Sequence, residues 1–270
     1  MTKIKVISCK NNCQITEEAI KLAGLEISKY DKYDCLYMGS VNPILATGSP
    51  AIIDFDDFEN EVEVSKIKEA LSLYSNIELV RVPSLECKTL LVSENIENNR
   101  KIVVRPFGYD AGMFNITKRT NNPKLRIGTV GPAWGIVNSL SPEILQDIEV
   151  VYIGTAPVNY FSLDIIVSYS ETFRPWNPSV LQAMACGAFP IISNTEGIKM
   201  ILHNDGIGNV CSPDSDSIKQ NILMAYTSWK QSPDFLLNLG RRASKTARKY
   251  NWNKFVDLLV DDLAYLKEQS

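Results

Sequence analysis

Residues 170–187, SETFRPWNPSVLQAMACG, put a carboxylate, a guanidinium and an aromatic ring between two apolar segments. Asn177, Pro178 and Gly187 are residue types that begin and end a short helix. Glu171 and Arg174 then fall in the loop before that helix. Because the first turn of a helix carries free N–H groups and a partial positive charge, this loop predicts an anion site suited to phosphate.

Arg174 has two interpretations from the sequence. Its guanidinium could donate charge-assisted hydrogen bonds to the same phosphates, or it could be a surface arginine stacked on Trp176. The apolar segment DIIVSYS precedes the loop and AFPIIS follows the helix. Both segments predict buried strands, so the loop is expected at the carboxyl ends of parallel strands, where ligands bind in such sheets.

Composition excludes several other classes of chemistry. The chain of 270 residues has 28 Lys and Arg against 31 Asp and Glu, so no overall basic charge draws it to nucleic acid or anionic lipid. Its single histidine, His203, excludes zinc sites of the HExxH kind and is interpreted as a surface residue near a helix end. Proton transfer is therefore expected from carboxylates or from the substrate.

The six cysteines follow no disulfide or zinc spacing and are expected to be buried free thiols. Cys9 and Cys13 leave a metal site as the less favoured alternative. No stretch approaches the roughly 18 consecutive apolar residues of a membrane helix, and the first residues do not resemble a signal peptide. A cytoplasmic protein without an integral membrane segment is the expectation.

Two blocks of alternating strands and helices predict an α/β fold with two parallel sheets. In the first block, strands are predicted at KIKVIS, YDCLYMG, PAIIDFDD, IELVRVPS and KIVVRPFG, with helices over 16–28, 63–75 and LECKTLLVSE. Residues 109–124 show no sustained period and predict a linker. Strands LRIGTVG, IEVVYIG, DIIVSYS and AFPIISN follow, and three helices are predicted over 214–229, 232–250 and 252–269.

Three segments, IIVSYSETF, VLQAMACGAFPIISNTEGIKMIL and GIGNVCSPDSDSIKQNILMAY, resemble the donor-binding half of retaining glycosyltransferases of the GT-B fold, the "group 1" family. Residues 80–114 resemble that family's passage out of the first domain, and 248–263 resemble its closing helix. The resemblance covers about residues 77–270. It implies two Rossmann-like domains facing each other across a cleft, residues 1–107 with helix 254–270 on the acceptor side and 108–253 binding the donor.

The resemblance also implies roles for single residues. Glu171 would hold hydroxyls of the donor sugar, and Gln182 stands where the family usually has a glutamate that binds the ribose. Asp54, at the end of a strand in the first domain, would orient the acceptor or act as base. The residues expected to bind the donor nucleotide are Gly131, Pro132, Thr155, Phe173, Arg174, Ser179 and Gln182.

Two departures from the family pattern are evident. Glu171 and Gln182 lie eleven residues apart, a longer spacing than the family's, so RPWN is interpreted as an insertion. GTVGPAWGIVN also lacks the Arg and Lys that related enzymes aim at the diphosphate, although Gly131 and Gly135 allow close backbone approach. Arg174 is the expected substitute.

The expected activity is therefore transfer of a sugar from a UDP- or GDP-sugar to an acceptor hydroxyl, with retention and without a metal or other cofactor. The acceptor stays open among a glycan, a lipid-linked sugar, a small molecule and modified DNA. A DNA acceptor has one supporting feature, the five basic residues of GRRASKTARKY, although a solvated helix face is the favoured interpretation. The alternatives are a nucleotide-sugar binding protein without activity, because the departures could mark a decayed site, and an epimerase.

Overall fold

A computed structural model of the chain describes residues 3–7, 26–27, 35–38, 51–54, 72, 77–93, 101–119, 123–154, 159–205 and 207–269. The strands are β1 (Lys3–Ile7), β2 (Glu26–Ile27), β3 (Cys35–Met38), β4 (Ala51–Asp54), β5 (Ile77–Val82), β6 (Lys101–Val104), β7 (Leu125–Val130), β8 (Ile148–Tyr152), β9 (Ile165–Ser168), β10 (Phe189–Ser193) and β11 (Asn209–Cys211). The helices are α1 (Leu85–Ser93), α2 (Ala133–Asn138), α3 (Pro142–Leu145), α4 (Pro178–Ala185), α5 (Lys199–Asp205), α6 (Ser215–Gln231), α7 (Pro233–Ala247) and α8 (Trp252–Gln269).

The chain divides into two compact units, residues 1–108 with 252–270, and residues 109–251. The first unit contains a parallel sheet of strand order β2-β1-β3-β4-β5-β6, and the second a parallel sheet of order β11-β10-β9-β7-β8. The predicted α/β fold with two parallel sheets is confirmed. Every strand predicted from an apolar segment is present.

One helix boundary was wrong. The helix predicted over 16–28 includes Glu26 and Ile27, which form β2 and pair with Lys3 and Ile4 of β1. Two residues carry little local preference, so pairing with a neighbouring strand decides their conformation. Of the helix predicted over 63–75, only Ser72 is described, and it is helical. Cys9 and Cys13 lie outside the described residues.

The last helix, α8, packs on the sheet of the first unit through buried charges. Asp262 of α8 accepts two hydrogen bonds from Arg105, at 2.9 and 2.7 Å, and its Oδ2 lies 3.3 Å from Nε of the fully buried Arg81. The Arg81 guanidinium also lies 4.6 Å from the ring centroid of Phe255. A buried carboxylate shared by two arginines is costly to break, so this contact fixes α8 in place.

The second sheet has apolar strands covered on both faces, as parallel sheets require. Every residue of β9 and β10 is buried, and α4 packs between this sheet and α7. Gly240 of α7 lies so close to the Gly187 carbonyl that a Cβ atom would clash with it. The sequence patterns did not predict β11, α2 or α3, which are short elements of three to six residues.

Residues 109–119, predicted as part of a linker, are packed on the second unit. Tyr109 is buried, the ring of Phe114 meets Tyr160 edge-on at 5.4 Å, and Ile116–Lys118 form a 3₁₀ turn. A segment without periodic apolar residues is therefore packed on the second unit and is not a free linker. Arg119, at the end of this segment, donates to the carbonyls of Leu163 and Gly187, the residues close before β9 and β10.

No helix among the described residues is long and apolar enough to cross a membrane.

Candidate donor site at the carboxyl edge of the second sheet

The order of the second sheet creates a switch point between β7 and β9. The chain runs from β7 outward to β8, and β9 then returns to the other side of β7, with Val130 opposite Ser168. The segments that leave β7 and β9 therefore turn away from each other. In open parallel sheets this geometry opens a crevice at the carboxyl ends of the two strands, where ligands bind.

Gly131 and Arg174 meet at this switch point. Gly131 directly follows β7 and has a φ of 63°, which favours glycine. A Cβ atom on Gly131 would lie 3.2 Å from the carbonyl oxygen of Tyr169 and 3.7 Å from a guanidinium nitrogen of Arg174. Two residues that the sequence suggested separately are thus brought together at the end of β7.

The loop that carries Arg174 is fixed to the loop after β10. The Arg174 N–H donates to the carbonyl of Thr195 at 3.0 Å, and the Gly197 N–H donates to the carbonyl of Arg174 at 2.8 Å. The hydroxyl of Thr195 donates to the carbonyl of Ser170 at 2.6 Å. Because its main chain is held on both sides, Arg174 is presented in a defined position despite the irregular conformation of the loop.

Glu196 is the buried acid of this site, and the sequence analysis missed it. Its side chain is fully buried and accepts a hydrogen bond from the Asn177 amide at 2.9 Å. Burial raises the pKa of Glu196, while hydrogen bonding to Ser168, the charge of Arg174 and the Asn177 bond oppose the rise. The available signal was its position three residues after the apolar segment FPIIS, at the same edge as the Glu171 loop.

Asn177 connects this buried acid to the start of α4. Its side-chain oxygen accepts from the Val180 N–H at 3.4 Å, and its amide nitrogen donates to both Glu196 and Ser168 at 2.9 Å. Pro178 occupies the first position of the helix, and Gly187, with a φ of 94°, follows its end. The predicted capping of α4 is confirmed.

Glu171 lies exposed at the tip of the loop. Its carboxylate accepts a hydrogen bond of 3.2 Å from the hydroxyl of Tyr169, whose ring is buried. The Tyr169 hydroxyl also lies within 3.3 Å of the Pro213 carbonyl oxygen. A carboxylate positioned by a buried tyrosine and open to solvent has acceptor capacity left for the hydroxyls of a bound molecule.

The other predicted residues are more dispersed. Phe173 and Gln182 are half-buried, Gln182 on α4, and Pro132 is exposed at the residue before α2. Ser179 is hydrogen-bonded to the hydroxyl of Tyr160. Asp54 is the last residue of β4 in the first unit, so it stands at the carboxyl end of a strand there. Thr155 lies outside the described residues.

Trp176 contacts Tyr250, with ring centroids 6.4 Å apart, and is itself buried. A surface stack with Arg174 does not fit a buried indole, and this finding favours the ligand-binding interpretation of Arg174. His203 is exposed in the last turn of α5, as predicted.

Cysteine and metal chemistry have little support in the described part of the chain. Cys87, Cys186 and Cys211 are buried free thiols, as predicted. Burial raises the pKa of Cys87 to about 12 and that of Cys211 to about 11, so neither is a thiolate near neutral pH. Across the described ranges, no group of three His, Cys, Asp or Glu is placed to hold a metal ion.

No protein-family model matches the sequence, and no curated protein matches it significantly. Solved structures do match over nearly the whole chain. Sucrose-phosphate synthase from Thermosynechococcus elongatus is 12% identical with a TM-score of 0.75, covering 100% of both chains. Anabaena HepE in complex with UDP-glucose is 11% identical with a TM-score of 0.72, covering 98% of this chain and 100% of that one.

A glycosyltransferase from Rickettsia africae is 13% identical with a TM-score of 0.70, covering 100% of this chain and 99% of that one. These structures share the GT-B fold, and the fold implied by the sequence resemblance is confirmed. The chain therefore has two Rossmann-like units of the GT-B kind.

Proposed function

We propose that this protein is a glycosyltransferase that transfers a sugar from a nucleoside diphosphate sugar to an acceptor hydroxyl. The observation that carries the proposal is the meeting of Gly131, Arg174 and the start of α4 at the switch point of the second sheet. The fold adds support, because the structure of HepE, a neighbour over 98% of this chain, is a complex with UDP-glucose.

In the proposed complex, the diphosphate lies against the backbone at Gly131 and receives the guanidinium of Arg174. Departure of the nucleoside diphosphate leaves negative charge on its terminal phosphate, and a fixed cation and N–H dipoles stabilise that charge in the transition state. This arrangement supplies a metal-free route. Glu171 accepts hydrogen bonds from hydroxyls of the donor sugar, and Gln182 binds the ribose.

Retention of configuration at the anomeric carbon is the stereochemical part of the proposal and rests on the family resemblance. Asp54 is proposed to orient the acceptor from the first unit. The acceptor class stays open among glycans, lipid-linked sugars, small molecules and modified DNA, and UDP-sugar or GDP-sugar is the proposed donor.

Calorimetric titration with UDP, GDP and ADP, each with and without EDTA, tests the donor site. We expect either UDP or GDP to bind with the same affinity in the presence and absence of EDTA. Arg174→Ala should weaken that binding at least tenfold. Arg126→Ala is the matched control, because this arginine lies on β7 but pairs with the exposed Glu149. Loss of every nucleotide in EDTA would refute the metal-free site, and absence of binding throughout would refute the donor site.

A second measurement separates an enzyme from a binding protein. The preferred nucleotide decides whether UDP-sugars or GDP-sugars are tested as donors. Slow release of free sugar and nucleoside diphosphate from such a donor, with water as the acceptor, indicates transferase chemistry. The departure at Gln182 makes this test necessary, since glutamine lacks the charge of the usual glutamate. Tight donor binding without any hydrolysis would favour the non-catalytic alternative.

A further inference from the structure

A cavity of about 610 Å³ lies at the opposite, amino edge of the second sheet. Four basic side chains line it, Arg119, Arg241, Lys245 and Arg248, over an aliphatic wall that includes Ile116 and Leu237. It belongs to the edge opposite the donor site because Arg119 bonds to Leu163, Asp164 and Gly187, which precede β9 and β10. The proposed donor site lies where the same strands end.

The spacing of the basic residues on α7 directs them to this cavity. Positions 241, 245 and 248 are separated by four and three residues, which places them on one face of a helix that continues into the turn after Ala247. Arg119 comes from a different part of the chain and faces them. Burial lowers the pKa of Arg119, and the charge of Arg241 lowers it further, so the two guanidinium groups are close enough to repel.

Acidic groups do not balance this charge. Asp164 pairs with Arg119 at 2.5 Å. Among the residues that the structure describes, no acidic side chain lies within ion-pair distance of Arg241, Lys245 or Arg248. A smaller adjoining cavity of about 240 Å³ includes Asp164 and Asp234. The main cavity therefore holds a surplus of about three positive charges.

Helix stability explains only part of this arrangement. Basic residues in the last turn of α7 interact favourably with the helix dipole, which accounts for Lys245 and Arg248. Arg241 lies two turns earlier, however, and Arg119 is on another element. Four converging cations around a concave surface cost stability through mutual repulsion unless an anion binds there.

We propose that this cavity binds a compact phosphorylated small molecule, such as a sugar phosphate or a diphosphate, at a site separate from the donor site. Its volume lies in the range of small-molecule pockets. The half-buried aliphatic wall of Ile116 and Leu237 suits a carbon skeleton beside the phosphate. A nucleic acid needs an extended basic surface along its backbone, which four basic residues around a concave site of about 610 Å³ do not provide.

Titration with inorganic pyrophosphate at constant ionic strength tests the site. The test variant is Arg241→Gln with Lys245→Gln, which removes two charges from the cavity. The matched control is Arg242→Gln with Lys249→Gln, which removes two charges from exposed residues of the same segment that do not line it. Arg119 is left intact because it holds the sheet edge together.

In an Arg174→Ala background, which removes the proposed diphosphate contact of the donor site, we expect the test variant to weaken pyrophosphate binding at least tenfold and the control variant to leave it within about twofold. Equal weakening by both double variants would show diffuse attraction and overturn the proposal. Absence of any pyrophosphate binding in Arg174→Ala alone would assign the binding to the carboxyl edge and also overturn it. So would binding of a DNA duplex that depends on Arg241 and Lys245 when pyrophosphate does not bind. Melting temperatures without ligand confirm that each variant is folded.

Discussion

The two edges of the second sheet each place an arginine near an acid, Asp164 half-buried and Glu196 fully buried, but the arginines differ in how much of their hydrogen-bonding capacity is used. At the amino edge, Arg119 donates to the carbonyls of Leu163 and Gly187 at 2.7 and 2.8 Å and pairs with Asp164. At the carboxyl edge, the Arg174 guanidinium makes one long side-chain hydrogen bond among the described residues, to Ser168 Oγ at 3.5 Å. Arg119 therefore acts mainly to hold the ends of neighbouring segments together, whereas Arg174 keeps guanidinium N–H donors for a ligand.

This comparison predicts that the same substitution destabilises the protein strongly at Arg119 and weakly at Arg174. Arg119→Met should lower the free energy of unfolding by about 3–5 kcal/mol, because it leaves Asp164 and two carbonyls without their donor at a largely buried position. Arg174→Met should lower it by about 1 kcal/mol or less, since a half-exposed and weakly bonded arginine adds little stability. Urea unfolding of both variants measures the difference.

Donor binding should show the reverse order. Arg174→Met should abolish the nucleoside diphosphate titration while the protein remains folded, and Arg119→Met should retain it wherever the variant is folded at low temperature. Equal losses of stability in the two variants would show that Arg174 also has a mainly structural role. The assignment of the two edges would then be wrong.

The sequence predicted the carboxyl edge better than the amino edge for a physical reason. Strands β7, β9 and β10 are continuous apolar segments, and the residues after them were recognisable from chain order alone. Arg119 lies in a segment without periodicity, and its partners are main-chain carbonyls, which leave no trace in a side-chain pattern. Long-range contacts of that kind depend on packing.

Glu196 was missed for a related reason. Its neighbours Thr195 and Gly197 are typical turn residues, so an exposed turn was the natural interpretation of this short stretch. Its carboxylate accepts a hydrogen bond from Asn177, which lies 19 residues earlier in the chain, and local sequence does not reveal such a contact. The short elements β2, β11, α2 and α3 were also missed or misassigned, because two to six residues carry too little pattern to decide their conformation.

The next prediction concerns chemistry at the carboxyl edge. If Glu171 holds the donor sugar, Glu171→Ala should reduce turnover by roughly a hundredfold, the scale of a lost transition-state contact of about 3 kcal/mol. Stability should be nearly unchanged, because the side chain is exposed and its one contact is with Tyr169. Steady-state kinetics with the preferred donor measures the effect, and Tyr169→Phe is the control for simple loss of that contact. Near-normal turnover would show that Glu171 does not hold the donor sugar and that other residues of the crevice do.

A smaller effect is expected at Gln182. A ribose contact forms equally in the ground and transition states, so Gln182→Ala should raise the donor KM about tenfold and change kcat little. Gln182→Glu should be tolerated and should bind the donor at least as well, since a charged acceptor strengthens the hydrogen bond to a ribose hydroxyl. A fall in kcat with unchanged KM in Gln182→Ala would contradict a ribose-binding role.

The smallest expected effect is the pH dependence that the buried Glu196 gives to the stability of the protein. Burial raises the pKa of Glu196 above its ordinary value of 4.5, so between 4.5 and the raised pKa the folded protein holds a proton that the unfolded chain has lost. Stability from this group is therefore present at low pH and declines as pH rises through that window, with a slope of at most about 1.4 kcal/mol per pH unit. Glu196→Gln keeps an acceptor for Asn177 and does not titrate.

Urea unfolding between pH 4.5 and 8 measures the free energy of unfolding of the wild type minus that of Glu196→Gln. We expect this difference to fall as pH rises. Glu149→Gln is the control, because it removes an exposed carboxylate that also pairs with an arginine. A difference that instead rises with pH would mean that attraction to Arg174 outweighs desolvation of the carboxylate. Arg174 would then be engaged in an ion pair with Glu196, and the guanidinium would have fewer donors left for a diphosphate.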